Sequence, residues 1–235
     1  DLDTLIYTGN VKELARLKVA DGHIDIGAAV TLTDAMDVIA RHYPRFGELL
    51  RRFASVQIRN SGTIGGNVAN GSPIGDSMPA LIALGANVVV RHGSKSRQVP
   101  LDDFYHGYRE TDLRPGEFVE RIRVPVKSAA RRFGAYKVSK RFDQDISGVL
   151  GAYALELDGG RVRDIRICYG GMAAVPKRAV RCEKALIGQS WSDDAVARAM
   201  QALDADFQPL SDMRASADYR MLVAKNLLRK FWMET

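Results

Sequence analysis

Between Ser61 and Ser77 the chain reads SGTIGGNVANGSPIGDS, with five glycines, two asparagines, one acid and hardly a side chain large enough to enter a core. It then runs straight into PALIALGA, an apolar helical pattern. Such a stretch either turns tightly or brings its backbone close to something else, and glycine meets both demands. The start of the following helix leaves N–H groups unpaired and carries partial positive charge. Thr63, Asn67, Asn70 and Ser72 add short polar side chains able to meet phosphate or sugar oxygens. Those parts suit a pyrophosphate or ribityl chain, and they equally suit a structural turn whose side chains cap its own backbone. The spacing is neither GxGxxG nor GxxxxGK[ST], so no Rossmann nicotinamide site is indicated.

The rest of the chain reads as α+β. HIDIG alternates as a strand, and Thr33 is the expected N-cap of the helix after it. FGELLRRFASVQIRN reads as a second helix with Phe46, Leu49, Leu50 and Phe53 on one face. After PALIALGA, with Gly85 at its end, come a β-branched strand and the hairpin-like turn HGSKS. Asp158-Gly159-Gly160 joins two more strands. Three helices follow, around 178–186, 193–203 and 216–231, the last with Tyr219, Leu222, Val223, Asn226, Leu227 and Lys230 as its patterned positions. Pro125 and a basic stretch divide the 235 residues into units 1–127 and 128–235.

Several function classes drop out. The net charge of +6 is carried by short basic pairs scattered among acids, without the clustered footprint of a nucleic-acid binder. The longest apolar run, PALIALGANVVV, is too short for a membrane span, and no leader pattern opens the sequence, so a cytoplasmic location is expected. Cys168 and Cys182 form no metal-like spacing with the four histidines, and two thiols are too few for a conventional iron–sulfur cluster. No triad or paired-carboxylate set marks a general base or a nucleophile; catalytic and metal residues are therefore expected to be absent from this chain.

TIGGNVANGSPIGDSMPAL resembles the flavin-binding half of the FAD domain in the xanthine dehydrogenase (molybdenum hydroxylase) family. RRFASVQIRN before it and KVSKRFDQDIS after it share that resemblance, as do FYHGYRETDLRPGEFVERIRVP and CYGGMAAVPKRA. The likeness covers essentially the whole chain and is strongest to the flavin-bearing small subunit of bacterial members. It implies the second part of a two-part FAD-binding domain, followed by a small antiparallel sheet flanked by helices. It further implies a flavoprotein that accepts electrons from 2Fe-2S clusters onto FAD and passes hydride to NAD+ while a molybdenum cofactor-binding large subunit oxidises hypoxanthine or xanthine. The expected assembly is a hetero-oligomer. The alternatives are the flavin subunit of another molybdenum hydroxylase, of the carbon monoxide dehydrogenase kind, and a non-catalytic nucleotide-binding assembly module.

By the same resemblance, Thr63, Ile64, Gly65, Gly66 and Asn67 form the loop that meets the phosphate and ribityl region of FAD. Asp76 contacts the cofactor, Phe53 and Val119 pack against it, and Lys137 stands near the flavin. Tyr108 and Arg109 flank the NAD side, and the loop from Lys140 to Asp145 lies beside the flavin. The family's first FAD loop, a Gly-Gly-Thr-Asp-like turn, has no counterpart here, so the sequence reads as a fragment beginning at DLDTLIYTGN.

Overall fold

In the computed structural model, which describes residues 3–126, 128, 130–142 and 144–235, the first half of the small-residue segment is helical and the stretch from Gly71 to Asp76 is a turn. The helical half forms α4 (Ile64–Asn70), closed by left-handed Gly71, and the turn leads to α5 (Ser77–Ala83). The positions Lys127 and Asp143, where a unit boundary and part of a flavin-side loop are expected, lie outside the described residues.

Strands β1 (Leu17–Ala20), β2 (His23–Gly27), β3 (Asn87–His92), β4 (Lys95–Pro100) and β7 (Phe118–Pro125) make an antiparallel sheet in the order β1-β2-β7-β3-β4. Two short strands, β5 (Tyr105–Gly107) and β6 (Glu110–Thr111), pair with each other beside it. The second sheet runs β11-β10-β9-β8, from β8 (Arg131–Val138), β9 (Val149–Asp158), β10 (Arg161–Gly170) and β11 (Lys177–Arg178). Gly159 and Gly160, both at positive φ, turn the β9–β10 hairpin as the sequence requires.

Helices α1 (Leu32–His42), α2 (Pro44–Arg51) and α3 (Val56–Ser61) pack with α4 and α5 between the sheets. Helix α5 lies on β9 and β10, and α2 lies on β8. The outer face of the second sheet carries α6 (Val180–Leu186), α7 (Asp193–Asp206) and α8 (Ala217–Met233). Nearly all of β9 is therefore buried. Leu150 and Ala152 join the inner core with Ile82 and Val88, whereas Val149, Tyr153 and Leu155 join the outer core with Phe231. In that outer core Tyr153 stacks on Phe231 at 4.9 Å and donates to the Tyr169 hydroxyl, which donates to the Ala224 carbonyl. The inner core runs across both sheets, so the halves of the chain share one interior.

Three local expectations are corrected. Thr31, not Thr33, caps α1 by accepting from Asp34 N at 3.0 Å, because the Thr33 hydroxyl bonds Asn60 instead. The pattern FGELLRRFASVQIRN splits into α2 and α3, since Ala54 takes φ 46° and Ser55 caps a new helix. On α8 the buried face is Arg220, Ala224, Leu227, Leu228 and Phe231, while Tyr219 and Leu222 are exposed. Arg220 is buried because its guanidinium reaches the carbonyls of Gly148 and Gly171 and the carboxylate of Asp212. Among the described residues no helix is long and apolar enough to cross a membrane.

Candidate functional site

The turn between α2 and α3, the α4–α5 junction, the end of β8 and the loop preceding β9 converge on a cleft of about 470 Å³. Phe53, Ile58, Ile74 and Ile146 form its apolar wall; Asn67, Asn70, Ser72, Asp76, Lys137 and Gln144 supply polar groups. An apolar cavity with a few convergent polar groups is the common form of a cofactor site.

Two opposite charges are buried in the cleft lining. Asp76 is 4% exposed and Lys137 8%. Lys137 Nζ donates to Asp76 Oδ2 at 2.6 Å, and Ser147 Oγ donates to Asp76 Oδ1 at 2.5 Å. Asp76 holds the N-cap position of α5 but makes no side-chain cap bond, so its carboxylate is committed to these two donors. Strand alternation places Lys137 opposite to Tyr136 and Val138, which pack on the outer core. Removing both charges from water is costly and is offset only by close geometry and further hydrogen bonds. Ser147 provides one such bond. The ammonium has three N–H donors, and Asp76 is its one hydrogen-bond partner among the described residues, which leaves donors for an occupant.

The surrounding loops are tied down. Arg52 Nε and Nη2 donate to the Phe142 carbonyl at 2.9 and 2.7 Å, and its guanidinium lies 4.5 Å from the centre of the Phe142 ring. Backbone N–H groups of Arg141 and Ile146 hold the Asp145 carboxyl below its ordinary value. Asn67 accepts from Ser77 Oγ at 2.5 Å, which fixes its amide at the cleft wall.

Of the residues expected from the sequence, Phe53, Asn67, Asp76 and Lys137 are brought together in this lining. Thr63 caps α4 by accepting from Gly66 N at 2.9 Å, and Ile64 is fully buried. Gly65 is small for an internal reason: a Cβ there would meet Ala28 Cα at 2.5 Å. Gly66 is exposed, and a Cβ on it would meet only Thr63 Oγ1, the atom that already receives the Gly66 N–H. Val119 sits in the inner core opposite Val90 and does not line the cleft. Tyr108 lines a neighbouring cavity of about 560 Å³ with Leu210, Asp212 and Arg220, and Ile74 borders both cavities. Arg109, at φ 58°, lies 5.5 Å from the centre of the Tyr108 ring.

Sequence reasoning did not single out Ser147, Ile58, Ile74 or Arg59. Ser147 closes the quoted motif KVSKRFDQDIS, and its position two residues past Asp145 was the available signal. Arg59 gives no signal of its own, because its burial depends on a turn that the helical pattern concealed.

The family described as FAD binding domain in molybdopterin dehydrogenase matches residues 1–127, and the CO dehydrogenase flavoprotein C-terminal domain matches residues 134–235. The chain is 32% identical to a glyceraldehyde dehydrogenase medium chain of Sulfolobus acidocaldarius, over 99% of this chain and 83% of that one. It is also 32% identical to a xanthine dehydrogenase of Emericella nidulans, over 97% of this chain but only 18% of that protein. Among solved structures, a carbon monoxide dehydrogenase from Hydrogenophaga pseudoflava superposes with a TM-score of 0.88 at 30% identity, over 94% of this chain and 77% of that one. The architecture of sheet, helices and second sheet, with its cleft above α4 and α5, is thus that of a flavoprotein, and the chain belongs to the FAD-binding family of the molybdopterin dehydrogenases.

Proposed function

We propose that the cleft holding Lys137 and Asp76 carries FAD. The chain would then be the electron-transfer part of a xanthine dehydrogenase, taking electrons from 2Fe-2S clusters and delivering them to NAD+ while a molybdenum cofactor-binding large subunit oxidises hypoxanthine or xanthine to urate. The observation that carries this reading is a buried ammonium with one partner among the described residues, set in a largely apolar cleft. The donor set fits the cofactor. Phe53, Ile58 and Ile146 offer an apolar wall for a planar ring, and Asn67, Asn70 and Ser72 offer hydrogen bonds for hydroxyls.

When bound, FAD supplies the two-electron chemistry, and the protein supplies position and electrostatics. Lys137 stabilises negative charge that develops on the ring, and Asp76 with Ser147 holds the ammonium in place. Tyr108 borders the cavity on the far side of Ile74, Arg109 lies against its ring, and the two would receive the nicotinamide dinucleotide by stacking and charge. The chain works within a cytoplasmic hetero-oligomer, with the iron–sulfur and molybdenum centres on other domains or subunits.

Anaerobic mixing of the purified complex with xanthine should bleach the flavin absorbance, and NAD+ should restore it. Bleaching by an aldehyde or carbon monoxide but not by xanthine would assign the chain to another molybdenum hydroxylase. The similarity to the Sulfolobus medium chain supports that second reading.

A further inference from the structure

We propose that Arg59 is a positioning residue of the cleft: it clamps the Phe53–Ala54 turn in a left-handed form and thereby sets the Phe53 ring as a wall for the flavin. This inference rests on the FAD reading above.

Ala54 holds φ 46°, a conformation that costs an L-residue with a Cβ and that glycine would adopt freely. Arg59, on α3, is 9% exposed although its neighbours Val56 and Ile58 are more than half exposed. Its Nη1 donates to the carbonyls of both Phe53 and Ala54, at 2.7 and 3.1 Å. Among the described residues no carboxylate forms an ion pair with it. A guanidinium taken out of water without a counter-ion is costly, and among the described residues its hydrogen bonds go only to the two carbonyls of the strained turn. The turn is bounded on either side by other contacts. Phe53 N donates to Leu50 O, and Ser55 caps α3 through Ile58 N. Neither of those bonds reaches the Ala54 carbonyl. Phe53 packs on the inner core while lining the cleft, so rotation of this turn moves the wall.

The test uses the purified flavoprotein complex and its deflavinated form, with Arg59→Gln, Ala54→Gly and the double variant. Arg59→Gln is expected to weaken FAD binding roughly tenfold, the worth of a well-placed aromatic contact, and to alter the visible circular dichroism of the bound flavin. In the deflavinated protein the same variant is expected to speed amide hydrogen exchange at residues 53–56. Adding Ala54→Gly should restore most of the lost affinity, because glycine keeps the left-handed turn without the clamp. Wild-type affinity and spectrum in Arg59→Gln would overturn the proposal, as would a double variant no better than the single one. Unchanged exchange at residues 53–56 would overturn the clamp whether or not flavin binds. A wild-type complex that holds no FAD would instead refute the reading of the cleft, and with it the role given to the Phe53 wall.

Discussion

Lys137 and Asp76, 61 residues apart in sequence, meet at 2.6 Å with both side chains almost wholly out of solvent. One comes from the second sheet and the other from the helix layer of the first half, so the pair joins the two halves at the cleft. Lys137→Met would leave the Asp76 carboxylate buried with Ser147 as its remaining side-chain donor. The expected loss is about 3–5 kcal/mol, as for other broken buried pairs. Urea unfolding of Lys137→Met, Asp76→Asn and the double variant checks it. The double variant should lose much less than the sum of the two singles.

Gly65 and Gly66 are adjacent but should respond in opposite ways. Gly65→Ala forces a Cβ against Ala28 backbone and should cost about 1–3 kcal/mol by overpacking. Gly66→Ala shifts only the Thr63 hydroxyl that caps α4, and the helix-propensity gain of about 1 kcal/mol should offset that cost and keep the fold near wild-type stability. The second variant should nevertheless lose FAD affinity, because a methyl group then stands on the exposed face of α4 beside the proposed cofactor. Thermal melts paired with flavin titrations separate the two effects.

Acid should remove the stabilisation that Glu117 contributes to the β4–β7 region. Arg97 donates to both oxygens of Glu117 at 2.8 and 2.6 Å and to Asp112 Oδ2 at 2.5 Å. The Arg97 bonds, helped by Arg114 N, push the Glu117 carboxyl down from 4.5 to about 2. Below pH 4.5 the unfolded chain therefore binds a proton that the folded chain refuses. The stabilisation is complete above pH 4.5 and fades as pH falls toward 2. Unfolding at a series of pH values should show a shallower acid limb for Glu117→Gln than for wild type.

Periodicity and turn chemistry made most of the scaffold legible. The Asp158-Gly159-Gly160 hairpin, the Gly85 helix end and the three C-terminal helices fall where their residues place them. The missed features are those in which a long-range partner outweighs a local pattern. Ala54 breaks a good helical stripe because Arg59 stabilises its left-handed backbone. Arg220 takes an inward position on α8 because the Gly148 and Gly171 carbonyls receive it. The TIGGN stretch is rich in glycine yet helical, since Gly65 allows α4 to press on the chain at Ala28. For the site, family likeness named Phe53, Asn67, Asp76 and Lys137; only the fold reveals Ser147, whose hydroxyl completes the carboxylate's bonding.

Tyr108 should matter to the electron acceptor and not to flavin retention. It is 63% exposed beside the second cavity, so Tyr108→Ala should leave the fold intact. Loss of a stacking contact worth about 0.5–1.5 kcal/mol should raise KM for NAD+ roughly two- to tenfold. Steady-state kinetics with flavin content measured on the same samples tests this.

The placement of FAD against the buried pair is best judged by returning FAD to the deflavinated complex, wild type and Lys137→Met side by side, while following flavin fluorescence and midpoint potential. Wild type should bind tightly with quenched fluorescence, and the variant should bind more weakly at a more negative potential, having lost the cation that stabilises the reduced ring. Equal affinity and equal potential in the two proteins would contradict this placement and put the flavin elsewhere.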